Sequence, residues 1–201
     1  MSAANLSSSA HPDKTNQKAA QQVDQRSCLP HCIQQQLLPM ARQDWSKHPS
    51  YSGSAAFFIA YHGSLLNTIN NLVPQLEELM QHSGPKGIPL IQLQPALRSG
   101  LYLVEKAHHH HQIEDASYFP QFRQLLPNFG AAIDLLDGDH LVLDAALHNF
   151  KKSIQKAYKQ TQVSQQYVAN LYEQALFLKK VLTRHLHDEE EIIIPIFLKF
   201  Q

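Results

Sequence analysis

The stretch His185-Leu186-His187-Asp188-Glu189-Glu190-Glu191-Ile192-Ile193-Ile194-Pro195-Ile196-Phe197 decides the reading of this chain. A second stretch repeats it: His110-His111-Gln112-Ile113-Glu114-Asp115-Ala116-Ser117-Tyr118-Phe119-Pro120-Gln121-Phe122. Both read His-x-x-x-Glu-acid, then Pro six residues after the Glu, then Phe two residues later. Helical positions four apart lie about 40° apart around the axis, so each His shares a face with its Glu. In the later copy that face also carries Leu178, Val181, Leu182, Ile192 and Ile193. A His and a Glu therefore stand in a line of core residues, twice. A buried carboxylate costs several kcal/mol unless it is paired or coordinates a metal.

Working outward, nearly all of the chain from Tyr51 onward has helical periodicity. A first helix carries Phe58, His62, Leu65, Leu66, Ile69, Leu72, Val73, Leu76 and Leu79 as one stripe, with Pro74 expected to kink or restart it. The run Ser83–Pro89 turns the chain. A second helix is expected from about Leu90 or Pro95 to Ser117, stopped by Pro120. Its inner side holds Leu97, Leu101, Val104, Ala107, His110, His111 and Glu114. The third helix is expected over about Ala131–Gln160, and the fourth over about Ser164–Ile194, ended by Pro195. Four long helices with short turns predict an all-α, antiparallel up-down four-helix bundle over residues 51–201. Residues 1–50 are rich in Ser, Gln, Ala and Asn and are broken by Pro12, Pro30, Pro39 and Pro49. They read as a low-complexity arm with at most short helical pieces, near Ile33–Leu38, ordered only if it docks on the bundle.

Composition sets the outer limits. At 201 residues the chain holds one domain, or one domain with a tail. Lys+Arg and Asp+Glu are both 17, and that zero balance argues against a nucleic-acid binder. No apolar run reaches the roughly 18 residues of a membrane span. Two cysteines, Cys28 and Cys32, cannot staple a domain of this size, and no basic region leads into an apolar stretch as in a secretory signal. A cytoplasmic protein is the expectation. The spacing of Cys28 and Cys32 is not that of the usual redox motif, so inert thiols are expected.

Histidine is the unusual count, at 13. His62 and His140 also lie in apolar stripes. In an antiparallel hairpin, residues at one depth are equidistant from the turn. Midway between His62 and His110 falls Lys86; midway between His140 and His185 falls the Gln162-Val163 bond. Both midpoints are expected turns, so each hairpin sets a lone His opposite a His-x-x-x-Glu pair. The spacing predicts one shared site at the bundle centre: His62, His110, His140 and His185 as terminal ligands, Glu114 and Glu189 as bridges. Two nitrogens per metal with bridging carboxylates suit a dinuclear first-row centre with open positions. Second-row acceptors for the ring N–H groups are sought among Asp115, Asp139, Asp144, Tyr61 and Tyr118. His111 also lies near the inner face, but the register with His185 favours His110. Singly, each piece has a plainer reading, as a core histidine, a solvated acidic run or a surface histidine patch. Two matched copies with two depth-matched histidines favour the metal site.

These residues resemble a hemerythrin-like (HHE cation-binding) domain, whose pattern is H, then H-x-x-x-E, then H, then H-x-x-x-E. His62, His110 with Glu114, His140, and His185 with Glu189 carry the resemblance, which covers about residues 52–200. It implies a bundle around two non-haem iron ions that bind, sense or reduce O2, NO or peroxide, as a di-iron oxidoreductase or as an iron- or oxygen-sensing interaction module without turnover. A zinc hydrolase is the third reading; bridging glutamates on facing helices favour iron. The oxygen-carrying hemerythrins have a second His one turn along the third helix, where Asp144 stands here, and their fourth-helix carboxylate lies one residue farther from its His. The resemblance thus implies one imidazole fewer than the carriers have, and a closer kinship to hemerythrin-like proteins of NO or oxygen response and iron–sulfur repair.

Overall fold

The computed structural model describes residues 22–200 apart from Ser83, Pro85 and Lys86. Residues 1–21 of the expected arm, and those three positions of the expected first turn, lie outside the described residues. Four long rods make the bundle: α2 (Ser54–Gln81), α3 (Leu90–Ile113), α5 (Gly130–Ala157) and α6 (Gln165–Phe200), preceded by a one-turn α1 (His31–Gln34). α2 and α5 do not face each other directly; each packs on α3 and on α6. This is the all-α bundle the periodicity predicts.

Three prolines behave differently from expectation, each for a local reason. Pro74 lies inside α2, which does not restart there. It faces solvent while Leu72, Val73 and Leu76 are buried, so water can satisfy the carbonyl it frees. Pro120 does not stop the second rod. After α3 the chain makes a π turn, Glu114–Tyr118, in which the Phe119 N–H reaches the Glu114 carbonyl, and continues as α4 (Phe119–Leu125) with Pro120 in its first turn. The widened turn accommodates the missing N–H. Pro195 does not end α6, which runs on to Phe200. Ile196, Phe197 and Leu198 are all buried beyond it. At roughly 1.5–3 kcal/mol for each buried side chain, they outweigh the ~3 kcal/mol cost of an interior proline.

A two-stranded ribbon, absent from the sequence reading, ties the two interhelical turns together. β1 (Ile88–Pro89) pairs antiparallel with β2 (Gln162–Val163), Ile88 opposite Val163. Gly87 makes the approach possible: its φ is +80°, and a Cβ there would lie 2.5 Å from the Val163 carbonyl oxygen.

The core is divided. One apolar cluster, on the ribbon side, includes Leu65, Ile69, Leu97, Val104, Ala107, Leu143, Leu147, Val181, Leu182 and Leu186. The other includes Phe58, Phe119, Phe122, Phe129, Leu136, Ile192, Ile193 and Phe197. Residues 22–51 pack on the bundle: Leu29, Ile33 and Trp45 join the second cluster and Val23 the first. Between the clusters, along every rod, lie the ionisable residues singled out above.

Candidate metal centre

The divided core follows from the order of residues on each helix. His62 lies between Phe58 and Leu65, Glu114 between Ala107 and Phe119, His140 between Leu136 and Leu143, and Glu189 between Leu186 and Ile192. His62, His110, Glu114, His140, His185 and Glu189 are all buried and meet at one level. A seventh residue joins them: His111, also buried.

The donor atoms form two groups, each with its atoms within 4.8 Å of one another. One is His111, His140 and His185; the other is His62, His110, Glu114 and Glu189. The expected two nitrogens on each side become three and two, because adjacent helical residues point about 100° apart and His110 and His111 straddle the site. Leu186, the counterpart of His111 in the repeated stretch, goes into the apolar cluster, so the internal two-fold is broken here. His111 thus brings a fifth imidazole to the cluster.

Glu114 spans the two groups. Its Oε1 is 2.9 Å from His110 Nε2 and its Oε2 is 3.5 Å from His140 Nε2. Glu189 uses one oxygen for both sides: Oε2 lies 3.4 Å from His62 Nε2 and 3.6 Å from His185 Nε2. Despite these short separations, both oxygens of both glutamates lack a hydrogen bond, as do Nε2 of His111, His140 and His185. Buried polar atoms are ordinarily satisfied. Seven unbonded donor atoms aimed at one place fit a cation.

The other ring nitrogens are held by carboxylates. Nδ1 of His62 is 3.0 Å from Glu190 Oε1, Nδ1 of His111 is 3.1 Å from Asp144 Oδ1, Nδ1 of His140 is 2.8 Å from Asp115 Oδ1 and Nδ1 of His185 is 3.3 Å from Asp139 Oδ2. An ionised carboxylate only accepts, so the neutral ring carries its proton on Nδ1 and turns the Nε2 lone pair inward. Asp115, Asp139 and Asp144 take the role sought for them; Glu190 was missed, and Tyr61 instead donates to the Lys106 carbonyl. Aromatic rings close the site. Tyr61 stacks on His110 and Phe119 on His140, and Phe58 lies 4.6 Å from the His62 ring.

Burial and mutual charge move the cluster's groups away from their ordinary titration. Burial, then the Glu189 charge, raises the Glu114 carboxyl well above its usual range. Burial opposes the ionisation of Glu189 too, but His110, His62 and His185 hold it well below. Burial pulls the His140 ring down, yet the adjacent Glu114 carboxylate, helped by the charges of Glu189 and Asp115, carries it up to about 9. Burial lowers His111 to about 3, with the neighbouring imidazoles adding to the drop.

Two further acidic groupings exist, Asp115-Asp137-His140 and His187-Asp188-Glu191. Their members already have partners: Asp137 pairs with Arg123, and Asp188 with Arg26 and Arg184. Cys28 and Cys32 are free, exposed thiols on the segment before the bundle.

Comparison with known families agrees with this geometry. The family model of the hemerythrin HHE cation-binding domain matches residues 55–197, and the chain belongs to that family. No curated protein and no solved structure matches it. Among the described residues no helix is long and apolar enough to cross a membrane. Family and donor set together define a metal-binding helical bundle.

Proposed function

We propose that His62, His110, His111, His140, His185, Glu114 and Glu189 hold two iron ions, and that the chain binds, senses or reduces O2, NO or a peroxide there. The observation that carries this reading is the set of inward ring nitrogens and carboxylate oxygens left without hydrogen bonds at the bundle centre. Imidazole and carboxylate donors without thiolate suit a borderline first-row ion. When bound, the iron pair would supply electron exchange with a small oxidising ligand.

The protein's own residues prepare that chemistry. Carboxylates on Nδ1 fix the ring orientations and raise the basicity of Nε2. Glu114 sets one oxygen toward each donor group, and the rings of Phe58, Tyr61 and Phe119 keep bulk water away. The His62–His110 side has one imidazole fewer, and a small ligand would be taken up there. In a second reading, a sensing module without turnover, residues 22–51, which pack on both apolar clusters, would carry the readout.

Iron reconstitution followed by metal analysis and optical titration tests the proposal. Two irons per chain, carboxylate- or oxo-bridged absorption, and a spectral change with NO or O2 are expected. A chain that takes up no iron, or whose spectrum ignores both gases, overturns it. Turnover of peroxide or NO separates the catalyst from the sensor.

A further inference from the structure

Two arginines from outside the family-matched region reach the carboxylates that orient ligand histidines. The match begins at residue 55, whereas Arg26 and Arg42 stand in the segment before it. Arg26 Nη1 donates to Asp139 Oδ1 at 2.8 Å, Nη2 donates to the other Asp139 oxygen, and Nε donates to Asp188 Oδ2 at 2.7 Å. Asp139 in turn faces His185 Nδ1. Arg42 Nη1 donates to Glu190 Oε2, while Glu190 Oε1 faces His62 Nδ1. One relay thus ends in each donor group.

The choice of partners has a physical logic. The carboxylates of Asp115 and Asp144, which orient His140 and His111, have side chains 49% and 48% exposed, so water screens them. Those of Asp139 and Glu190 are 3% and 10% exposed and need a counter-charge from the protein. The segment brings both charges and is fastened by Val23, Leu29, Ile33 and Trp45, with Arg42 lying 4.8 Å over the Trp45 ring.

A carboxylate on Nδ1 makes an imidazole a stronger electron donor. A guanidinium on the same carboxylate draws that charge back. We propose that Arg26 and Arg42 are positioning residues that hold the reduction potential of the metal centre high, so that residues 22–51 are a functional part of the site. This rests on the di-iron reading.

Redox titration of the iron-loaded full chain is the test, with iron content measured on every sample. Arg42 is the first target, because its side chain is 43% exposed and its loss leaves the core intact. Arg42→Gln should shift the oxidised-to-reduced ratio at a fixed poise about tenfold toward oxidised, as expected for a unit charge in a partly buried setting, or about 59 mV for one electron. Arg42→Lys, which keeps the charge, should restore most of the wild-type potential. Arg26→Gln should shift it in the same direction. A merely structural clamp would lower melting temperature and leave the potential alone. Iron-loaded Gln variants that keep the wild-type potential overturn this assignment and leave the di-iron reading standing. A wild-type chain that takes up no iron sinks the di-iron reading itself.

Discussion

Asp144 and His111 stand on neighbouring helices with Oδ1 and Nδ1 3.1 Å apart. The aspartate occupies the third-helix position where the oxygen carriers place an imidazole. Here an imidazole reaches the cluster from α3, and the Asp144 carboxylate faces its Nδ1.

His111→Ala should therefore abolish or halve metal uptake, as His110→Ala should, while exposed His109→Ala leaves it unchanged. Asp144→Ala should weaken binding by roughly 10–100-fold without abolishing it. Metal analysis after loading and dialysis reads all four. Normal stoichiometry in the His111 variant would remove it from the ligand set.

The glutamates set stability against function. Glu114 is fully buried, and burial together with the Glu189 charge opposes its ionisation. Above pH 9, where the His140 ring is neutral and no ion pair is broken, Glu114→Met should be more stable than wild type in chelator by about 1–4 kcal/mol, and should lose the melting increment that metal gives the wild type. A variant less stable in chelator would show that the carboxylate is satisfied without metal.

The His140 ring carries a pH dependence. Its value of about 9 in the folded, metal-free chain lies above the ordinary 6.5. Its protonation therefore stabilises that fold fully below pH 6.5, and the contribution fades as pH rises through about 9. Metal displaces the same proton and binds more tightly over the same interval. Raised Glu114 acts with the same sign, and lowered His111 is silent there. The gap between metal-loaded and metal-free melting temperatures should widen between pH 6.5 and 9. A constant or narrowing gap contradicts a protonated His140.

Phe197 touches Phe58, Tyr118 and Phe122 through ring contacts of 5.4 Å each. It lies past the proline expected to end α6. Phe197→Ala should cost about 3–5 kcal/mol in denaturant melts, and a loss under 1 kcal/mol would contradict continued helical packing beyond Pro195.

The depth of the site was readable because an antiparallel hairpin turns distance along the chain into height. That logic sets His62 level with His110, and His140 level with His185, and the structure brings each pair together. Depth barely distinguishes neighbours, and the register with His185 favoured His110 alone, whereas both imidazoles reach the cluster. The signal for His111 was its place three residues before Glu114, which also shares that face. Glu190 sat in an acidic run that reads as solvated. Arg26 was illegible for a deeper reason: its partner Asp188 lies 162 residues away, and no periodicity encodes such a pairing. The prolines misled because local propensity yields to tertiary burial.

The polar slab between the two apolar clusters has a consequence for how the molecule comes apart. Oily contact is interrupted at mid-height, so in chelator the ribbon half and the phenylalanine-rich half should open as separate cooperative units, with distinct amide-exchange free energies. The bound ions, gripped from all four rods at once, would weld those halves into one.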